Sequence, residues 1–467
     1  MHTCHHYHRV HPRLRGVRLP RAAGFPSGTL SPAQILTAYG FKQNQYAGTV
    51  ACKLGVGSLG GGVVQADIDN SVKQWGMLAP KITVRTVGGA VNDPTADQDA
   101  NVENSLDLLP TMAFAVWFLT GLAADITITF GPNASGGMKL VTDDLVAAGV
   151  EVASWSWGSA ESSWDEAERA ALAASFKAAA DAGVTFCAAS GDNSVDDGTG
   201  SPSPDYPAGD PCVWGVGGTK LTIIPASGLR AGESAWGDGA PGDEGGGGGF
   251  DPNWAMPPFQ IGIVPVQPQG ALRGVPDTSA NADPNSGWQM SANGSWTVVG
   301  GTSASSPFTA ALIAVAKAVA KSQVGLLTPD VYAARASACN DITTGSNGDP
   351  ATPGWDPATG LGSPNGSSFI QAITSAAAPA PNPPAPNPPT QPAPNPNPNP
   401  PTQPAPPTQP SPPSVPAFDE YDAVSWAAEG IIENYPDDGS TPSLADLQAW
   451  ASQGIEENYP GSAQEKG

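Results

Sequence analysis

The sequence predicts an α/β protein: a doubly wound parallel sheet with flanking helices, followed by a Pro-rich linker and a small helical C-terminal module. Three observations carry this prediction. Short apolar runs alternate with helical patterns between residues 49 and 190. Prolines crowd into residues 377–417, and a 15-residue pattern recurs beyond them.

Residues 1–28 hold five arginines and no acid, and read as a basic tail or connector. The HHYH cluster there offers metal ligands, but reads first as a solvated terminus. Residues 29–376 read as one globular domain. Within it TVACKLGV, KITVRTV, DITITF, EVASWSW and VTFCAAS have strand character, and residues 67–75, 100–109, 139–148, 165–182 and 304–321 have helical spacing. Strands separated by helices build a parallel sheet, whose ligands sit beyond the carboxyl ends of the strands. Residues 377–417 repeat PAPNPP and PTQP, a polyproline II stalk able to reach on the order of 100 Å. In residues 418–467, DAVSWAAEGIIENYP recurs as DLQAWASQGIEENYP, so Trp426, Ile431 and Tyr435 match Trp450, Ile455 and Tyr459. Two short helices packing their aromatics is one reading; a tethering module with an unknown ligand is the other.

The net charge is −23. Residues 418–467 hold 11 acidic side chains and one basic, which leaves 32 acidic against 14 basic in residues 29–417. Such a surface argues against nucleic acid and anionic membranes as partners, and it suits an acidic milieu. All five histidines lie in the first eleven residues. Proton transfer in the body therefore falls to carboxylates, lysine, tyrosine or water. No C-x-x-C pair points to zinc, and Cys187 and Cys212, in apolar runs, predict buried thiols. No signal peptide is visible after the basic start, and the apolar run 112–124 is too short to span a membrane.

Three segments carry candidate chemistry. Ser303, in GGTSASSPFTAALIAVAKAVAK, follows a Gly-rich turn and opens an apolar helix, where unpaired N–H groups favour developing negative charge. Ordinary helix capping explains the same pattern. Glu103 and Asp107, in ANVENSLDLL, are four apart and share a helix face. Two carboxyls that close share a proton and can act as a base in mild acid; a solvated acidic face is the alternative. Asp192 follows VTFCAAS in SGDNS, placed to donate to an oxyanion if protonated, or simply to form a turn.

Together these segments resemble the sedolisin family of serine-carboxyl peptidases, in particular its kumamolisin-like members. The likeness covers residues 29–373. It runs from TLSPAQILTAYGF through the E-x-x-L-D helix, SWSWG, ESSW, SGD, PDYPA, GGGGGFD, RGVPDTSANADP and GGTSASSP to DITTGSNG and GWDPATGLGSPNG. The resemblance implies a subtilisin-like fold and an endopeptidase of proteins and peptides active in acid. Ser303 would be the nucleophile, Glu103 the base, Asp107 its partner and Asp192 the oxyanion donor. It also implies one structural Ca²⁺ on the Asp341 and Asp356 carboxylates and the carbonyls of Ile342, Thr352 and Gly354. Trp157 would lie beside the catalytic carboxylates, and Asp205 would favour Arg or Lys one position before the residue at the cut. Family members carry a long N-terminal pro-domain. Only 28 residues precede the domain here, so a pro-domain acting in trans is one expectation. The family points to an extracellular or acidic compartment. Pro110 and a long loop up to Asp125 predict an early kink after the Glu103/Asp107 pair. A tripeptidyl-peptidase of the same family is a close alternative, and an inactive peptide-binding or surface-tethered homologue a distant one.

Overall fold

The structure is a computed structural model that describes residues 11–12, 15–18, 29–237 and 244–376. The central sheet comprises β1 (Leu54–Ser58), β2 (Lys81–Thr86), β3 (Asp125–Phe130), β4 (Val152–Trp155), β5 (Thr185–Ala189), β6 (Val213–Ile223), β7 (Arg230–Ala235) and β8 (Thr278–Asn281). Their spatial order is β7-β6-β5-β4-β1-β3-β2, with β8 also pairing β6. Every pairing is parallel except β6 with β7. An antiparallel hairpin, β9 (Trp288–Ala292) and β10 (Ser295–Gly300), stands apart from this sheet.

Both faces of the sheet are covered, and the strand sequences show why. Along β1, Leu54 and Val56 face one apolar core while Gly55 and Gly57 face the other. Gly57 is required there, because a Cβ would meet the Trp155 ring at 2.6 Å. Val152 and Cys187 join the first core, whereas Ala153, Trp155, Phe186 and Ala188 join the second. The helices are α1 (Pro32–Ala38), α2 (Gln65–Trp75), α3 (Gln98–Leu106), α4 (Phe114–Thr120), α5 (Gly137–Ala147), α6 (Glu166–Asp181), α7 (Thr302–Ala320), α8 (Thr328–Ala338) and α9 (Gly366–Ala376). The first core is centred on α7, buried from Thr302 to Lys317; the second is closed by α5 and α6.

The predicted doubly wound sheet is thus present, with two shifts. Residues 49–53 precede the first strand rather than starting it, because the Cys52 N–H bonds to the Ala314 carbonyl of α7 instead of a strand partner. The run 112–124 holds α4 rather than a long loop before Asp125. Cys187 is buried as expected, but Cys212 is only half-buried; Cys52, Cys187, Cys212 and Cys339 are all free thiols. The N-terminal segment, expected to be a connector, has two described pieces, and both pair as strands. Residues 11–12 lie antiparallel to Trp157 and Gly158, and residues 15–18 to Val298 and Gly300. The Pro-rich linker 377–417 and the repeat in 418–467 lie outside the described residues.

Candidate active site

Helix α3 starts cleanly because the Asp97 carboxylate accepts from the Asp99 and Ala100 N–H groups. One turn separates Glu103 from Asp107, and both are fully buried on the same side. A solvated acidic face is therefore ruled out. Pro110 should break this helix, since its missing N–H orphans the Leu106 carbonyl. Instead the chain widens into a π-helical turn over Asp107–Ala113, and the Thr111 hydroxyl donates to the carbonyls of Leu106 and Asp107, each at 2.7 Å. The expected kink does not displace the pair: the helix runs on into α4.

Ser303 is the second residue of α7. The N-cap is Gly301, whose φ of 116° favours glycine, and it makes no side-chain capping bond. Ser303 thus sits inside the helix, and simple capping does not explain it. Asp192 is no local turn residue either. Its Oδ1 accepts from both the N–H and the hydroxyl of Thr302, each at 2.7 Å, across 110 residues of sequence. The loop after β5 is thereby tied to the start of α7.

Sequence reasoning gave no role to Ser156, which lies just past the carboxyl end of β4, where a parallel sheet is expected to present ligands. Its hydroxyl donates to Asp107 Oδ1 at 2.8 Å and approaches the Ser303 carbonyl at 3.3 Å. Ser303 Oγ reaches the Ser156 carbonyl at 3.5 Å, the outer limit of a hydrogen bond. Strand position was the signal that could have found it.

Burial pushes the Glu103 carboxyl well above its ordinary range; the Asp107 charge adds to this and the Asp192 charge adds a little more. The Ser303 and Ser156 hydroxyls approach closely enough to pull it partly back, although neither Glu103 oxygen makes a bond of ordinary hydrogen-bond geometry. Asp107 is likewise raised by burial, opposed by the Ser156 hydroxyl. Two desolvated carboxyls one helical turn apart cannot both ionise at little cost, so they give up their protons in separate steps. The fold therefore gathers Glu103, Asp107, Asp192 and Ser303 at one place. Chemically, that place offers a hydroxyl, a carboxyl pair able to take its proton, and a separately anchored carboxyl at a helix N-terminus.

Trp157 and Asp205 lie on one antiparallel ribbon, Trp157–Ala160 with Asp205–Tyr206. Trp157 follows Ser156 directly and is 2% exposed. Asp205 is buried, and its carboxylate lies against Gly191, the neighbour of Asp192.

Of the residues expected to hold a cation, both carboxylates bond to backbone N–H groups of the short segment 352–354. Asp341 Oδ2 accepts from the Gly354 N–H at 3.0 Å, and Asp356 Oδ2 from the Thr352 N–H at 2.9 Å. Among the described residues no Lys or Arg pairs with either carboxylate. Burial pushes Asp356 up to about 6, as it must for a carboxylate without a countercharge. Two such acids with neighbouring carbonyls make an all-oxygen donor set that fits Ca²⁺.

A sequence profile of the subtilase family matches residues 101–362. Kumamolisin of a Bacillus species is 34% identical over 391 residues, covering 80% of this chain and 68% of its own length. Sedolisin of a Pseudomonas species is 27% identical over 383 residues, and the chain spans 63% of that relative. A tripeptidyl-peptidase of Aspergillus fumigatus is 31% identical over 293 residues, and the chain spans 44% of it. Among solved structures, Pseudomonas sedolisin, described as a serine-carboxyl proteinase complexed with pseudo-iodotyrostatin, superposes with a TM-score of 0.65 at 24% identity. That match covers 75% of this chain and 99% of that one, and it bears on the fold.

Proposed function

The chain belongs to the sedolisin family of serine-carboxyl peptidases, within the wider subtilase family, and we propose that it is an endopeptidase that cleaves proteins in acid through Ser303, Glu103, Asp107 and Asp192. The observation that carries this reading is the buried Glu103/Asp107 pair gathered with Ser303 in a domain without histidine. Ser303 Oγ attacks the peptide carbonyl carbon, and its proton passes to Glu103. Asp107, held by Ser156, keeps Glu103 oriented and shares its proton load. The carbonyl oxygen becomes an oxyanion, met by the Ser303 N–H and by protonated Asp192. Since Asp192 Oδ1 already accepts two bonds from Thr302, Oδ2 is the oxygen that carries the proton. Glu103 then protonates the leaving amine. Water takes the place of Ser303 Oγ in a second round, and the peptide acid is released.

A carboxylate base beside a neutral carboxyl donor requires low pH, so the rate should peak well below neutrality. Asp205, beside Gly191, supports selection of Arg or Lys one position before the residue at the cut, with Trp157 lining the same ribbon. Asp341, Asp356 and the carbonyls of Ile342, Thr352 and Gly354 support one structural Ca²⁺ that fastens the 341–356 loop. An extracellular or acidic compartment suits this chemistry and the −23 charge. Similarity to tripeptidyl-peptidases supports release of N-terminal tripeptides as a second reading. Incubating the purified chain and a Ser303→Ala variant with a denatured protein at acidic pH, then sizing the products by mass spectrometry, tests all of this. Internal fragments from the parent alone are expected. Tripeptides alone would favour the second reading, and equal cleavage by both proteins would remove the assignment.

A further inference from the structure

We infer that Asp67, a residue with no place in the chemistry above, is a positioning residue that sets the distance between the base and the nucleophile. The inference rests on the proposed roles of Glu103 and Ser303. Asp67 lies in the first turn of α2 and is fully buried, yet no cation among the described residues pairs with it. It is instead saturated by four donors. Oδ1 accepts from the Ser291 hydroxyl at 2.7 Å and the Gly294 N–H at 2.8 Å. Oδ2 accepts from the Ser105 hydroxyl and the Asn293 N–H, both at 2.9 Å. Each oxygen thus accepts two bonds.

The identity of those donors gives the residue its purpose. Ser105 lies on α3 between Glu103 and Asp107. Ser291, Asn293 and Gly294 form the end of β9 and the turn of the hairpin, and β10 runs from that turn directly into Gly301 and Ser303. One carboxylate therefore grips both the helix that carries the base and the hairpin that delivers the nucleophile. A second tie crosses the same gap: Asn101 Nδ2 donates to Asn293 Oδ1 at 2.9 Å, and Asn293 Nδ2 to the Gln98 carbonyl at 3.1 Å. Asn293 adopts a φ of 49°, so the turn holds a left-handed residue where these ties meet. Elsewhere α3 is held by the Asn104 bond to the Gly60 carbonyl and by the Ser156 contact at Asp107. Loss of the Asp67 grip would thus let α3 shift while the domain stays folded.

The test compares Asp67→Asn, Ser105→Ala and the double variant with the parent chain, measuring kcat, KM and the kcat–pH profile on a peptide substrate below each variant's melting temperature. Asp67→Asn replaces an acceptor pair by a donor. Ser105→Ala removes only the arm to α3 and leaves Asp67 three bonds, so it decides the matter even if Asp67→Asn does not fold. Because misplacing a reacting group by about 1 Å can cost a factor of about 100, kcat should fall at least about tenfold in Ser105→Ala, with KM within about twofold of the parent. The groups facing Glu103 are Asp107, Asp192, Ser303 and Ser156, so movement of α3 should also displace the acid limb of the kcat profile. The double variant should be no worse than the poorer single one, since both changes cut the same tie. An unchanged kcat and an unchanged profile in Ser105→Ala, with only a lower melting temperature, would overturn the inference and leave the peptidase reading intact. A parent chain without activity would remove that reading and this inference together.

Discussion

Ser156 shows how a residue without a catalytic group can govern one. Its hydroxyl is the donor at 2.8 Å that opposes the burial of Asp107, and the same hydroxyl approaches the Ser303 carbonyl. Replacing it with alanine leaves Asp107 desolvated without that bond, a loss of about 1.5–3 kcal/mol for a hydrogen bond to a charged group. Ser156→Ala is therefore expected to raise the pair's pKa further and to move the acid limb of the kcat–pH profile upward; an unmoved limb would show that the bond does not tune the pair. The four catalytic candidates were legible in the sequence because their motifs stand in order and because the body lacks histidine. Ser156 and Asp67 were not, since a serine after a strand and an aspartate in a helical turn carry no local mark of their distant partners.

At the scale of elements, the π turn over Asp107–Ala113 is where local rules and the site conflict. Pro110 forbids a regular helix, and the widened turn with Thr111 on the freed carbonyls resolves this without moving Asp107. Thr111→Val keeps the shape but removes the hydroxyl that supplements the backbone bonds of the turn at the Leu106 and Asp107 carbonyls, so a loss of about 0.5–1.5 kcal/mol is expected in denaturant unfolding. A variant as stable as the parent would mean that the backbone bonds of the widened turn suffice alone. The sequence pointed to a break at Pro110; propensity alone does not encode the rescue by its neighbour. The strands up to β6 were readable from apolar runs, the last of them PCVWGVGG, whereas β7 and β8 were not, because RAGESA and TSAN are short and polar and take strand form only through their tertiary partners.

For the molecule as a whole, buried carboxyls set the pH response. Glu103 and Asp107 bind protons more tightly folded than unfolded, as does Glu161, which burial and then its neighbour Asp251 push up to about 10. Folding thus takes up protons. Their contribution to stability is complete below the ordinary carboxyl pKa of about 4 and declines as pH rises toward the folded values. Glu161→Gln should flatten the fall in melting temperature between pH about 5 and 9; an unchanged slope would place the titration elsewhere. Chelation should lower the melting temperature of the parent by a few degrees and leave Asp356→Asn unaffected; equal effects on both would exclude the proposed Ca²⁺ ligand set. The central claim is that a carboxyl pair performs the proton transfer that imidazole performs in other serine peptidases, and it is tested most directly by a crystal structure with a peptide aldehyde at acidic pH. The account predicts the aldehyde carbon bonded to Ser303 Oγ, Glu103 within hydrogen-bond reach of that oxygen, and Asp192 Oδ2 donating to the new hydroxyl or oxyanion. An adduct on another residue, or a Glu103 carboxyl turned away from Ser303, would contradict it.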